Sequence, residues 1–287
     1  MKYKLLHKNT GTKPIIFSEI NTELDIFDIC FVPDKGYFFT SNQCLGYIDL
    51  KGNVNNSFIG KEGVNYIKHG FKEGVTFSDP SAICFNSPIG QLMVVEKNGK
   101  NLRSVNINDS YYCLSAMRSM DDEVVDKVFK KPYQVGKTSI FANGYNVSWT
   151  MERLNLVFNC WNRETIKILG SGKGGYSSAS HLGCHGISRP SGLLIDKNIL
   201  YVSDKNNHCI RSFSNCDKII AGHPIKSDIK PEKLVIVNGR LYFIDRDTVK
   251  CVSFSDANSK INSEYDDSRV ISITEASQNK LAILIKE

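Results

Sequence analysis

A β-rich unit that recurs along the chain is the feature that most constrains the fold. Its best copy runs from Ile187 to Phe213, a second from Phe77 to Val105, and a third from Pro231 to Phe254. In these copies Pro190 and Asp204 have the same separation as Pro231 and Asp245, and Glu96 stands where Asp204 stands. A repeat of this length indicates a fold built from similar supersecondary units that bury their faces against one another.

Short β-rich runs bounded by Gly, Asn, Asp and Pro make up most of the chain, and long helical periodicity is scarce. Such runs, with alternating and β-branched residues, predict an all-β protein. The runs are Ile29–Val32, Gly36–Thr40, Gln91–Val95, Leu154–Phe158, Leu193–Asp196, Ile199–Val202, Leu234–Val237, Arg240–Ile244 and Leu281–Ile285.

Weaker copies of the unit, at residues 29–50 and 129–169, bring the total to five between about residue 22 and residue 260. The chain ends supply two further pairs of strands, Tyr3–Leu6 with Lys13–Phe17 and Val270–Thr274 with Leu281–Ile285. Together they would form one blade, residues 1–20 and 265–287, which closes a ring and leaves few open edges. The sequence therefore predicts a single domain over residues 1–287, with six four-stranded antiparallel blades.

Two stretches of the chain resemble the NHL repeat. The first reads Ile168-Leu-Gly and is followed by Ile187-x-x-Pro-Ser-Gly-Leu-Leu-Ile-Asp and Leu-Tyr-Val-Ser-Asp-Lys-Asn-Asn-His-Cys-Ile-Arg. The second combines Phe58-Ile-Gly, the Gly70-Phe-Lys-Glu-Gly segment and Phe77-x-x-Pro-Ser-Ala-Ile. This resemblance covers residues 58–105 and 165–255, and it implies a six-bladed β-propeller.

Residues that recur in several blades are expected to be structural, because a catalytic residue is needed only once. A carboxylate at the end of a strand can accept backbone N–H groups of the adjoining turn. Arg103 and Arg211 occupy equivalent positions one strand later and are expected to pair with a carboxylate. The structural positions are Pro80, Glu96, Pro190, Asp204, Pro231 and Asp245.

Two motifs invite a chemical interpretation that the pattern supports poorly. The glycine-rich run Gly170–Gly175 lacks the Lys-Ser/Thr pair and the following helix of a phosphate-binding loop, so it is interpreted as a turn between blades. His181, Cys184 and His185 form the densest group of potential zinc ligands, but no second pair has suitable spacing. A polar loop with one buried thiol is the preferred interpretation, and no metal site is predicted.

Composition limits the function classes. Lys and Arg total 36 against 30 Asp and Glu, so the formal charge of +6 permits an anionic partner without indicating one. No apolar run approaches the roughly 18 residues of a membrane-spanning helix. The first residues do not resemble a signal peptide, and the nine cysteines are scattered singly, which indicates reduced thiols and a cytoplasmic or intracellular protein.

The resemblance implies a non-enzymatic interaction platform that docks a protein partner, with single-stranded RNA as the alternative ligand. No membrane partner is expected, and the sequence does not indicate a small-molecule ligand. RNA binding would require a continuous basic face interleaved with aromatic side chains. The candidate binding residues are Lys97, Lys100, Arg103, Tyr145, Lys205 and Arg211. The segment Asp121–Lys131 is predicted to be a solvated loop, with partner docking as the alternative.

Two other functions remain open on sequence grounds. The chain could be a structural or adaptor component of a large assembly such as a virus particle. It could also be a lactonase-like hydrolase or lyase, since some propellers resembling this fold hold a divalent cation in the central channel. That enzyme would need inward-facing carboxylates, for which Glu96, Asp204 and Asp245 are the candidates. No catalytic residue and no cofactor are otherwise predicted.

Overall fold

A computed structural model describes most of the chain. The described residues are 1–64, 70–71, 74–86, 91–96, 101–107, 112–115, 139–142, 145–152, 155–159, 165–169, 176, 186–196, 199–213, 217–254, 260–266 and 269–287. No described segment forms a helix that is long and apolar enough to cross a bilayer.

The described secondary structure consists of β-strands and short helical turns. The first thirteen strands are β1 (Lys2–Lys8), β2 (Ile15–Asn21), β3 (Ile26–Val32), β4 (Gly36–Ser41), β5 (Cys44–Asp49), β6 (Val54–Gly60), β7 (Gly70–Phe71), β8 (Ala82–Asn86), β9 (Gln91–Glu96), β10 (Asn101–Asn106), β11 (Tyr112–Ser115), β12 (Ser139–Ala142) and β13 (Tyr145–Glu152). The others are β14 (Asn155–Asn159), β15 (Thr165–Leu169), β16 (Pro190–Asp196), β17 (Ile199–Asp204), β18 (Cys209–Phe213), β19 (Asp217–Gly222), β20 (Pro231–Val237), β21 (Arg240–Asp245), β22 (Thr248–Ser253), β23 (Asn262–Tyr265), β24 (Arg269–Ala276) and β25 (Lys280–Lys286).

These strands form antiparallel sheets whose first strands surround a common centre. The sheets are β3–β6, β7–β11, β12–β15, β16–β19, β20–β23 and a closing sheet ordered β2-β1-β25-β24. Their inner strands β3, β8, β12, β16, β20 and β24 contact one another in that order, and β24 contacts β3 again. The architecture is therefore the ring of antiparallel blades that defines a β-propeller.

The prediction that every blade has four strands is wrong for one sheet, so the structure contains five four-stranded sheets rather than six. In the remaining sheet, Gly70–Phe71 pairs with β11 outside the usual fourth position and adds a fifth strand. Neither β7 nor β11 was predicted as a strand, and their two and four residues are short runs for a strand prediction.

The closing sheet joins the two ends of the chain. Its central pair is β1 with β25, in the register Tyr3↔Lys286 to Lys8↔Leu281. β2 lies outside β1, and β24 forms the inner strand on the other side. Apart from β7 with β11, paired strands elsewhere are consecutive in the chain, whereas β1 and β25 lie at its opposite ends, as in ring closure generally.

The hydrophobic core is a series of layers between neighbouring sheets. One layer packs Val32 and Phe38 against Ile83 and Leu92, and others lie on both sides of the closing sheet. Layers cover both faces of the sheet β3–β6, and β4 is buried at every position, as is β18. Neither strand shows the strict alternation of apolar and polar residues that marks a half-buried strand.

A tight turn connects the first and second strands of the sheet β20–β23. This turn is Asn238-Gly239, with φ of 52° and 68°. Two successive positive φ values define the type I′ turn, whose twist matches that of the flanking strands. Asn and Gly are the residues that adopt this conformation at least cost.

His7 lies in the layer between the closing sheet and the sheet β3–β6. Its ring stacks on Phe17 at a centroid distance of 4.1 Å, and its Nε2 lies 2.7 Å from the hydroxyl of Tyr37. Burial, followed by the charge of Lys280, lowers the pKa of His7 to about 4. Burial also raises the pKa of Tyr37, so both groups are neutral at pH 7.

We expect this histidine to make the fold acid-sensitive. An unfolded histidine takes up a proton near pH 6.5, whereas folded His7 does so only near pH 4. Stability should therefore fall as the pH is lowered from 6.5 to 4, by up to about 3 kcal/mol from this group. Urea unfolding of wild type and His7→Gln across this range measures the effect, because other groups titrate alike in both proteins. Parallel stability curves for the two proteins would contradict the assignment.

Candidate functional site: the loop face and the central channel

One end of the ring carries the connections between sheets together with the turns between second and third strands. Hydrogen bonds join the two kinds of connection: Asn206 N–H donates to the Ser188 carbonyl at 3.0 Å, and Arg246 donates to the Asp228 carbonyl at 3.1 Å. The backbone N–H of Gly63 likewise donates to the side chain of Gln43. We call this end the loop face; its described parts are residues 22–25, 42–43, 61–64, 74–81, 186–189, 205–208, 223–230 and 246–247.

The repeated carboxylates fasten the loop face to the blades. Glu96 accepts the N–H of Ser78 at 2.9 Å, and Asp204 accepts the N–H of Ser188 at 2.8 Å. Asp245 accepts the N–H of Lys230 at 2.9 Å. In each sheet the carboxylate thus ends the second strand and holds the segment that leads into the first strand.

The repeated arginines add an ion pair and a hydrogen bond to a backbone carbonyl at two of these three positions. Arg211 Nη1 lies 3.1 Å from Asp204 Oδ2 and donates to the Gly186 carbonyl at 2.6 Å. Arg103 Nη1 lies 3.2 Å from Glu96 Oε1 and donates to the Thr76 carbonyl at 2.6 Å. Gly186 and Thr76 both lie four residues before the proline of their unit, Pro190 and Pro80.

These contacts correct two of the candidate binding residues. The side chains of Arg103 and Arg211 are fully buried in ion pairs, so neither reaches the surface where a protein or RNA partner would bind. Aromatic rings cover them, with Phe77 4.6 Å from the guanidinium of Arg103 and Tyr176 4.8 Å from that of Arg211. Their sequence environment, a strand next to a turn, does not separate a buried arginine from an exposed one.

The same contacts argue against the repeated carboxylates as metal ligands in the central channel. Glu96, Asp204 and Asp245 each pair with a cation on the third strand of their own sheet, the last with Lys250 at 2.6 Å. Burial raises the pKa of Asp204, and the hydrogen bonds of Asn207 and Ser188 and the charge of Arg211 oppose this rise. These groups are engaged in the fold and do not form a set of inward-facing metal ligands.

Of the other candidate residues, the structure describes Lys205 and the backbone of Tyr145. Lys205 is partly exposed on the loop face and forms an ion pair with Glu232. The backbone of Tyr145 begins β13. Lys97, Lys100, His181, Cys184 and His185 lie outside the described residues, as do the segments Gly170–Gly175 and Asp121–Lys131.

The sequence analysis missed a constellation around Asp28 on the inner strand β3. Asp28 Oδ1 accepts the hydroxyl of Ser272 at 2.6 Å, and its Oδ2 accepts the N–H of Ile83 at 3.0 Å. Lys233 Nζ contacts both oxygens, at 2.7 and 2.9 Å. One carboxylate therefore joins β3 to three other inner strands, β24, β8 and β20.

Irregular pairing explains how these side chains meet. The inner strands β3, β16, β20 and β24 each shift register against their second strand near their first residues. Asp28 and Ser272 directly follow such a shift, and Lys233 lies inside one. A bulge re-aims a side chain out of the pleat. The only sequence signal is the lone charge of Asp28 within the apolar run from Ile26 to Val32.

The chemistry near Asp28 is that of an ion pair. Lys233 supplies the positive charge that a divalent cation would otherwise bring to this carboxylate. Burial raises the pKa of the nearby thiols of Cys30 and Cys84, which therefore stay protonated at neutral pH. Among the residues that the structure describes, no three His, Cys, Asp or Glu side chains are grouped so as to hold a metal ion.

Close contact between inner strands also limits substitution. Gly192 on β16 lies against the backbone of β20, and a Cβ at this position would stand 2.2 Å from the Glu232 carbonyl oxygen. Ser191 and Ser203 donate hydrogen bonds to the carbonyls of Pro231 and Glu232, each at 2.6 Å. The two sheets are thereby joined at the base of the loop face.

A polar groove opens where the closing sheet meets the sheet β3–β6. Its volume is about 450 Å³, and its charged lining residues are Lys2, Glu23 and Glu62. Asn56 spans it and donates to the Asn21 carbonyl at 2.7 Å. The groove is shallow and of mixed charge, and it does not indicate a particular ligand.

Comparison with known proteins supports the fold. No protein-family model and no curated protein sequence matches the chain. Among solved structures, the nidogen/laminin complex contains a chain that aligns with a TM-score of 0.63 and 11% identity, over 95% of this chain and 97% of that one. A virginiamycin B lyase from Staphylococcus aureus, a catalytically inactive form with quinupristin, aligns with a TM-score of 0.54 and 14% identity, over 99% and 100%. A luciferin-regenerating enzyme aligns with 0.55 and 6%, over 91% of each chain.

These similarities support the class of fold, a β-propeller. The structures that share it include a protein complex and enzymes. At identities of 6 to 14% the fold is shared without evidence for a shared activity.

The buried pair Asp204–Arg211 should be strongly coupled. Arg211→Met leaves a buried carboxylate without its cation and should cost about 3–5 kcal/mol of unfolding free energy. Adding Asp204→Asn should recover part of this loss, because the amide oxygen can still accept the N–H of Ser188 without burying a charge. Denaturant unfolding of the four proteins gives the coupling energy. The control is Lys205→Met in the exposed pair with Glu232, expected to cost less than about 1 kcal/mol; additive single and double variants would refute the coupling.

Asp28 should contribute more to stability than any exposed carboxylate. Asp28→Ala removes contacts to three neighbouring strands and should cost about 3–5 kcal/mol, and Lys233→Met about 1–3 kcal/mol. Chemical unfolding provides the measurement, with the exposed Asp247→Ala as the control. If both variants lose no more unfolding free energy than the control does, Asp28 does not hold the blades together.

Proposed function

We propose that this propeller is a non-enzymatic interaction platform that docks a protein partner on its loop face. The observation that supports the proposal most directly is the state of the charged groups. Glu96, Asp204 and Asp245 are each paired inside their own sheet, and Asp28 is paired with Lys233. These four buried carboxylates therefore serve the fold, which favours a function on the surface of the ring.

The loop face suits docking because its connections are fixed from below. The segments that lead into β8, β16 and β20 are each held by a carboxylate of their own sheet. A surface held in one conformation loses little entropy on binding, which favours affinity. We treat each sheet as one blade of a six-bladed ring, so that the sheet β7–β11 is a blade with an added edge strand.

Single-stranded RNA is the second candidate ligand, and Lys205 is the described residue that favours it. RNA recognition normally combines a basic groove with exposed aromatic rings on which bases stack. Tyr176, which lies between β15 and β16 in the chain, is exposed, but its ring lies against the guanidinium of Arg211. The proposal therefore places protein first.

The adaptor and enzyme hypotheses make different demands. An adaptor in a large assembly is a special case of protein docking and predicts a partner present in stoichiometric amount. A lactonase-like enzyme predicts a bound divalent cation with several carboxylate ligands. The Asp28–Lys233 pair argues against such a site at this level of the channel.

The test is affinity purification of the tagged full-length protein from its native source, with and without nuclease. A defined protein in stoichiometric amount in both arms supports the proposal, and RNA recovered only without nuclease supports the second candidate. Elemental analysis of the purified protein accompanies it. An empty purification together with a stoichiometric divalent metal would overturn the proposal in favour of the enzyme.

A further inference from the structure

The loop between β19 and β20, residues 223–230, presents an apolar side chain to solvent. Ile225 is 88% exposed, more than any other large hydrophobic residue that the structure describes. It belongs to the loop face, because the same loop leads into β20 and contacts the turn between β21 and β22 through Arg246 and Asp228. Single exposed apolar residues are common on proteins, so the setting of Ile225 decides its significance.

The tip of this loop is held in one conformation by His223. Its Nδ1 accepts the backbone N–H groups of Ile225 at 3.1 Å and Lys226 at 3.3 Å. The carbonyl of His223 accepts the N–H of Ser227 at 3.1 Å. The backbone that carries Ile225 is thus a closed turn with its own internal hydrogen bonds.

The base of the loop is anchored to two strands of the fold. Ile229 is buried in the layer between the sheets β16–β19 and β20–β23, and its carbonyl accepts from His208 Nδ1 at 3.0 Å. One residue later, Lys230 donates its N–H to Asp245. An apolar side chain on a support of this kind is prepared for binding, since little conformational entropy remains to be lost.

Charge around Ile225 indicates the chemistry of the partner. Lys226 and Lys230 flank it in the same loop, and both are exposed. Exposed Arg189 lies on the same end of the ring, directly before β16, whose Ser191 donates to the Pro231 carbonyl of β20. The acidic residues Asp228 and Glu232 are engaged by Arg246 and Lys205. Asp247, which is exposed beside Arg246, adds a third acidic residue, so positive side chains still outnumber negative ones in this part of the loop face.

We propose that Ile225, with Lys226, Lys230 and Arg189, forms a docking site for an acidic protein segment whose apolar side chains bury the isoleucine. The inference rests on the proposed function and names the partner class and the surface. An aliphatic anchor favours protein over RNA, since an isoleucine offers no aromatic face for a base to stack on. Interface centres are typically apolar and their rims polar or charged, and this part of the loop face offers one apolar residue together with three cations.

The test uses a phage-displayed library of random peptides as the probe, selected on the full-length protein. We expect enrichment of sequences that combine Asp or Glu with Leu, Ile, Phe or Trp. A selected peptide, labelled with a fluorophore, is then titrated by anisotropy against wild type and three variants. Ile225→Asp should weaken binding at least about tenfold, equivalent to about 1.4 kcal/mol. Lys226→Glu with Lys230→Glu should weaken it at least about threefold and reduce its salt dependence.

The control is Leu50→Asp, which changes an exposed apolar residue in the turn between β5 and β6 at the opposite end of the ring. It should bind like wild type, and circular dichroism should be unchanged for all variants because the substituted side chains are exposed. A poly-uridylate oligonucleotide provides the RNA arm, and binding that depends on Ile225 only in this arm would overturn the proposal.

Two negative outcomes separate the inference from the proposed function. Peptide binding that survives Ile225→Asp overturns this docking site and leaves the platform intact. Selection of basic or purely apolar peptides overturns the charge argument. A failure to enrich any peptide, together with an empty purification from the native source, overturns both.

Discussion

The carboxylate of Asp28 is the contact on which the centre of the ring depends. A propeller lacks a single core, and its blades pack as separate layers whose inner strands meet around an axis. Asp28 bonds to strands from three other sheets, one of them reached by the lysine Lys233 from two blades away. Because the partly buried charge would be costly alone, its partners must all be in place, and this requirement couples the blades.

The repeated carboxylates solve a related problem within each sheet. A long connection that arrives at the loop face has backbone groups that need partners. Asp204 accepts one N–H of this segment, and Arg211 donates to one of its carbonyls. The pair Glu96–Arg103 does the same at equivalent positions. The recurrence of these residues in the sequence thus reflects the recurrence of one structural task.

This arrangement separates the parts of the chain that hold the fold from those available for function. Interior charges are neutralised in pairs, and the thiols near the axis are held protonated by burial. The exposed Ile225 lies on a loop whose base is fixed by the buried Ile229. Rigid scaffolds with variable loops are a common basis for binding proteins.

The amino-acid sequence by itself determined the class of fold and the repeated unit. The equal spacing between proline and carboxylate in two copies reveals the recurrence. In the sheets, Pro190 is the cross-strand partner of Asp204, and Pro231 is that of Asp245. The strands at the two chain ends are also visible in the sequence, and they share one sheet. These features are local patterns or repeats of local patterns, which sequence comparison within one chain can detect.

Only the tertiary structure decided which charged residues are buried and which inner side chains meet. Sequence alone allowed Arg103 and Arg211 to be partners of a carboxylate or cations that bind a ligand, and their burial depends on packing between strands and aromatic rings. Asp28 and Lys233 are 205 residues apart, and they meet because bulges re-aim them and ring closure brings their strands to one axis. No local pattern encodes such a meeting, because it depends on the sum of the rotations between all intervening blades.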